Sequence, residues 1–132
     1  MKKRILICVV CLVVAVAVCF GGAYLYDTLR YRRIIADIVI TTPDISRIQD
    51  GTYNGYFDAN FIAADVDVTV RDHRITAITI NEHRTERGAK AEVITDDVIA
   101  NQSLEVDTIS GATNSSKVIL KAIEIALVNG MR

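Results

Sequence analysis

The sequence predicts an α+β domain, a small antiparallel sheet with helices packed on one face, preceded by one N-terminal transmembrane helix. Three observations predict it. Ile5 to Tyr26 holds 20 apolar residues in 22, Ala64 to Val70 alternates with period two and is answered by a second run at Ile75 to Asn81, and Lys117 to Asn129 is amphipathic at helical spacing. The 132 residues leave room for one domain beyond the apolar stretch. Residues 27 to 132 contain 46 apolar residues among 106, an ordinary globular fraction, and carry 12 Lys and Arg against 16 Asp and Glu. A net charge near −4 excludes a basic nucleic-acid-binding module, and the apolar fraction argues against a disordered polyelectrolyte.

The first element, residues 1–26, opens on Lys2, Lys3 and Arg4 and continues as the apolar stretch, broken only by Gly21 and Gly22. Twenty-two helical residues reach about 33 Å, enough for a hydrocarbon core of about 30 Å. The stretch is longer than the apolar centre of a cleaved secretory signal, and Ala15-Val16-Ala17 is only a weak cleavage site, so an uncleaved signal anchor in the lipid bilayer is the reading adopted. Charge leaves its orientation open, because Arg30, Arg32 and Arg33 flank the other end. Tyr24, Tyr26 and Tyr31 suit the membrane surface there. All three cysteines, Cys8, Cys11 and Cys19, lie inside the stretch and read as small apolar filler, which leaves the rest of the chain without a disulfide or a thiolate metal site.

Residues 27–50 read as a juxtamembrane connector, in which Ile34 to Ile40 is a candidate continuation of the helix and Thr41-Thr42-Pro43-Asp44 a break. The domain proper is residues 51–132. Gly51 to Phe57 supplies a first strand with two glycines where the backbone bends or is closely approached. Ala64 to Val70 and Ile75 to Asn81 form a hairpin about Arg71-Asp72-His73-Arg74. From Ala89 to about Gln102 the apolar period lengthens to that of a helix, Leu104 to Ile109 is extended, and the last helix runs from Lys117 to Asn129 with Gly130 as its C-terminal stop.

Between the extended piece and the last helix stands Ser110-Gly111-Ala112-Thr113-Asn114-Ser115-Ser116. One helix cap needs one such residue, and here there are several. The first turn holds Lys117 and no acid, so the chain itself supplies no negative charge to the helix N-terminus. That leaves an anion site open, with Gly111 allowing a phosphate to approach.

The run Asp107-Thr108-Ile109-Ser110-Gly111-Ala112-Thr113 resembles the flavinylation motif of the FMN-binding domain family, which includes flavin-bearing subunits of sodium-pumping quinone reductases and of related ferredoxin-oxidising membrane complexes. Gly51-Thr52-Tyr53 with Gly55 is similar to the family's opening strand, and His83, Glu86 and Gly88 to the segment after its hairpin, so the resemblance covers about residues 50 to 130. Arg87 departs from it, standing where relatives often carry proline. The resemblance implies FMN esterified through its phosphate to Thr113 by a flavin transferase that draws on FAD. It implies a site built from Ser110, Gly111, Ala112, Thr113 and Asn114, with Asp107 acting in maturation and His83 as a neighbour of the cofactor. It further implies an extracytoplasmic electron carrier without a catalytic residue or metal of its own, serving a membrane redox partner. Tyr53 and Tyr56 are candidates to flank the flavin ring, with core or sheet-face packing the reading preferred for both. A non-covalent FMN or phosphate module, and a structural accessory subunit in which the hydroxyl run is an ordinary cap, stay open.

Overall fold

A computed structural model describes residues 1–131. The first helix, α1, runs unbroken over Lys2–Asp37, 36 residues or about 54 Å. Residues 2–23 of it are exposed throughout. Its last turns pack: Tyr31, Ile34, Ile35 and Ile38 recur at i, i+3, i+4 and i+7 and lie on the domain core. The helix therefore extends well into the connector, as the Ile34 run suggested, and stops at Asp37, before Ile38 turns extended. A short 3-10 turn, Ile45–Arg47, follows, started by the Asp44 carboxylate accepting the Ser46 amide at 3.1 Å.

Three strands, β1 Gly51–Asp58, β2 Ala63–Arg71 and β3 Arg74–Arg84, form an antiparallel sheet in the order β1-β2-β3. In β2, Val66, Val68 and Val70 are fully buried while Asp65, Asp67 and Thr69 take the opposite, wetter face, as their alternation requires. The β2–β3 turn lies where the sequence puts it. Asp72 and His73 both have positive φ, the handedness that lets a two-residue hairpin follow the twist of its strands. Strand β3 is longer than the apolar alternation indicated, because two register shifts opposite Asp65/Val66 and Thr69/Val70 accommodate extra residues and carry the strand on to Arg84.

The segment read as one helix from Ala89 is two pieces, a 3-10 turn at Ala89–Val93 and then α2, Ile94–Asn101. Gln102, in the left-handed conformation, ends α2, and its side-chain amide accepts from the Ile75 amide and donates to the Ile75 carbonyl, both at 2.8 Å. The last helix, α3, covers Thr113–Asn129 and lies across β1 and β2, burying Val118, Ile119, Ala122, Ile123, Ala126 and Leu127 completely. It begins four residues earlier than the amphipathic pattern, so Thr113 to Ser116 form its first turn instead of a loop before it. Gly130 keeps an ordinary right-handed conformation. Its missing side chain serves packing, since a Cβ there would sit 2.7 Å from the Tyr53 ring. One layer of helix on one sheet face gives the α+β architecture read from the sequence.

Candidate functional site

The small and hydroxyl residues at the start of α3 divide their work. Ser116 Oγ accepts the Ile109 amide at 3.0 Å and donates to the Ala112 carbonyl at 2.8 Å, stitching the loop to the helix start. Ser115 Oγ lies 3.2 Å from Thr85 Oγ1, against the loop that leaves β3. Asn114 donates its side-chain amide to the Tyr31 hydroxyl of α1 at 2.9 Å. Thr113 alone of the four is exposed and without a hydrogen-bond partner for its hydroxyl among the described residues. Ala112 occupies the cap position, no side chain caps the helix, and the first turn holds no acid. The amides of Thr113, Asn114 and Ser115 thus have no acceptor among the described residues, and the positive end of the helix dipole lies behind them.

Two glycines shape the approach. Gly111 has φ +74°, a conformation a side chain would strain, and a Cβ there would lie 2.6 Å from Lys90 Nζ. A Cβ on Gly88 would meet Ser115 Oγ at 1.8 Å, so only glycine lets the loop after β3 close onto the helix terminus.

These parts line a cleft of about 600 Å³, within the usual size of a small-molecule site. One wall is Gly111 to Ser115, a second is Thr85 to Gly88, and a third comes from α1 through Tyr24, Thr28, Tyr31 and Arg32. Phe61 and Ile62, at the β1–β2 turn, close the remaining side. Arg32 and Arg87 line the cleft and Lys90 stands at its edge, against the single carboxylate of Glu86. None of the three cations has an ion-pair partner among the described residues. The electrostatics favour an anion beside the unanswered amides.

The turn that carries Phe61 is pinned by charge. Asp58 accepts the Asn60 amide at 2.7 Å and Arg84 at 2.8 Å, and Arg84 also donates to the Asn60 carbonyl at 2.9 Å. Asn60 itself is left-handed at φ 77°. Burial pushes the Asp58 carboxyl up, but the hydrogen bonds from Asn60, Arg84 and Tyr56 together outweigh it and hold the pKa below the ordinary aspartate value. A carboxylate depressed in the folded state stabilises the fold above its unfolded pKa, about 3.9, and that contribution is lost as pH falls through the lower folded value. Thermal melts at stepped pH are expected to show wild type losing stability more steeply than Asp58→Asn below about pH 4. Parallel curves for the two proteins would refute the clamp.

Of the residues singled out from the sequence, Gly111, Ala112, Thr113 and Asn114 wall the cleft together, as do Glu86 and Gly88. Ser110 is exposed beside Gly111 but is not part of the wall. Asp107 lies in a separate hollow with Asp97, Asn101 and Glu105. His83 is on β3 opposite Ala64, its side chain 2% exposed, with Nδ1 3.0 Å from Glu92 Oε1 and Nε2 buried without a partner among the described residues; it does not line the cleft. Tyr53 and Tyr56 hydrogen-bond to the Gln49 carbonyl and to Asp58 on the sheet and do not reach the cleft either. The aromatic residues that do are Tyr24, Tyr31 and Phe61. Tyr24, Thr28, Tyr31 and Arg32 stand at i, i+4, i+7 and i+8, a helical stripe that marks the cleft wall once α1 is known to continue past the membrane-length stretch.

A three-stranded sheet backed by one helix, with that helix's bare N-terminus opening into a cationic cleft with aromatic walls, defines a small domain that binds a flat phosphorylated ligand. The unanswered amides, the left-handed Gly111 and the volume of the cleft all fit the phosphate and ring of FMN. The model of the FMN-binding domain family matches residues 63–128, half of the chain, and the protein belongs to that family as an FMN-binding flavoprotein. No curated protein and no solved structure matches the chain. The match begins at β2, while β1 completes the sheet on which α3 rests.

Proposed function

We propose that this protein is a membrane-anchored, extracytoplasmic flavoprotein that carries FMN covalently on Thr113 and relays electrons between a membrane redox partner and a second carrier. The observation that carries the proposal is the position of Thr113. Within the flavinylation-like motif it is the one threonine that is both in the first turn of α3 and free of partners, and it faces the cleft. In maturation by a flavin transferase, the Thr113 oxygen bonds to the riboflavin-side phosphorus of FAD, the pyrophosphate bond breaks, and AMP leaves as the hydroxyl proton passes to solvent or to a base of the transferase. The backbone amides of the first turn with Lys90 would hold the phosphate, and Gly111 and Ala112 would keep side chains out of its path. Asp107 lines a separate hollow and not the cleft, which suits a carboxylate that meets the transferase during maturation and not the bound flavin.

When bound, the flavin would supply the electron chemistry; the chain would supply position and charge. Anchoring rests on α1, whose most apolar 18-residue window has a mean hydropathy of 3.0 and no buried share. The extracytoplasmic assignment rests on chemistry: an ester bond retains a cofactor where a lost one is not readily replaced.

The test is the intact mass of the full chain produced with a flavin transferase, followed by peptide mapping. The expected result is one FMN ester on the peptide containing Thr113 and a fluorescent band after denaturing electrophoresis. Flavin that leaves on denaturation would select non-covalent binding, and an unmodified, colourless protein would overturn the proposal.

A further inference from the structure

We propose that the end of α1 is part of the flavin site, with Tyr31, assisted by Tyr24 and Phe61, forming the surface against which the isoalloxazine ring rests. The inference builds on the attachment at Thr113 and assigns to the anchor helix a binding role besides anchoring.

Four observations lead there. Tyr24, Thr28, Tyr31 and Arg32 form the cleft wall contributed by α1. Phe61 stands edge-on to Tyr31, ring centroids 5.4 Å apart at 68°, and tilted to Tyr24 at 6.4 Å and 46°, so three rings converge at one end of the cleft. The Tyr31 hydroxyl accepts the Asn114 side-chain amide at 2.9 Å, which ties this aromatic cluster to the residue following Thr113 and fixes its position relative to the attachment oxygen. Tyr24 remains 69% exposed although it touches Phe61. A purely structural clasp between helix and turn would bury that ring, whereas an open aromatic surface beside a phosphate site suits a flat ring system. Tyr26, two residues along, is equally exposed but does not line the cleft, so exposure at the membrane surface alone does not place a tyrosine there.

The chain has no tryptophan and five tyrosines, which makes phenol contact with the flavin readable by light. A phenol against the ring quenches flavin emission, because an electron passes to the photoexcited ring and returns; phenylalanine fills the same space without doing so. The experiment uses the full chain in detergent, produced with a flavin transferase and matched for flavin mapped to Thr113. Native emission of Tyr31→Phe is expected to rise several-fold over wild type, with a smaller rise for Tyr24→Phe and none for Tyr56→Phe, whose ring lies outside the cleft. After denaturation all four proteins should emit equally. Because Tyr31→Phe preserves the ring's packing, the readout does not depend on a large core change. Unchanged native emission in both Tyr31→Phe and Tyr24→Phe, with flavin present on Thr113, would overturn the inference and leave the attachment standing. A wild-type chain without flavin would overturn the attachment, and the inference with it.

Discussion

Replacing Thr113 with alanine is expected to abolish covalent flavin while leaving the domain folded. The reasoning is local. The Thr113 side chain is exposed and bonds to nothing among the described residues, so its removal leaves no buried polar group unpaired and costs the fold a few tenths of a kcal/mol at most. Ala112, not Thr113, holds the cap position, so no capping bond is lost. The ester oxygen, by contrast, has no substitute. Ser115 and Ser116 are buried at 2% and 0% exposure and already bonded, and Asn114 has no hydroxyl. Thr113→Ala should therefore give a dark band after denaturing electrophoresis and an unmodified intact mass, at a melting temperature within a degree or two of the unmodified wild-type chain. Thr113→Ser should remain fluorescent, since the hydroxyl stays at the same place on the first turn. A fluorescent Thr113→Ala protein would move the attachment elsewhere, with Ser110, also exposed, as the next residue to map.

Gly55→Val is expected to produce the largest loss of stability. Here β1 and α3 meet backbone to backbone. A Cβ on Gly55 would lie 2.0 Å from the Ala122 carbonyl oxygen, 2.5 Å from the Ala126 amide nitrogen and 2.9 Å from the Ala126 methyl. Two of these three atoms belong to helix backbone, so no rotamer change relieves the clash and α3 must lift from the sheet. Overpacking in a core costs about 1–3 kcal/mol, and contact with backbone on a helix that buries six side chains completely places this substitution at the upper end or above it. In a domain of this size a loss of about 3 kcal/mol lowers the melting temperature by more than about 10 °C. Gly55→Ala should cost less, in the same direction. Because α3 also presents Thr113, modification should fall in step with folding. A melting temperature near that of wild type would mean that α3 does not rest on β1 as described.

These two positions show how unevenly the sequence disclosed the site. Thr113 was legible because a motif names it and because too many hydroxyl residues surround one helix start for capping to use them all. Gly55 was legible only as a place where something comes close; that the something is the carbonyl of Ala122 depends on a helix 67 residues later in the chain. His83 was grouped with the site through its nearness in sequence to Glu86 and Gly88. Strand alternation instead turns its ring inward against Glu92, while Thr85 to Gly88, past the end of β3, reach the cleft. Tyr24 and Tyr31 suit the membrane surface by their place after the apolar stretch, and Tyr53 and Tyr56 suit sheet packing better than a place beside the flavin ring. The structure keeps Tyr53 and Tyr56 on the sheet and puts Tyr24 and Tyr31 on the wall of the cleft, which neighbouring residues do not record.

The sequence by itself determined the classes of element, the membrane-length apolar helix, the hairpin with its turn, and the motif that brings the protein into its family. Each of these is written in neighbouring residues, through periods of two and 3.6 or through a run of small side chains, and needs no knowledge of distant contacts. Tertiary structure alone decided which residues enclose the cleft, because a cleft is bounded by segments that meet only after folding: Tyr31 and Thr113 come from two helices, Phe61 and Gly88 from two loops, and they are brought together by the buried faces of α1 and α3 closing on the same core. Hydrophobic burial is not directional, so no local pattern records which partner an apolar face will find.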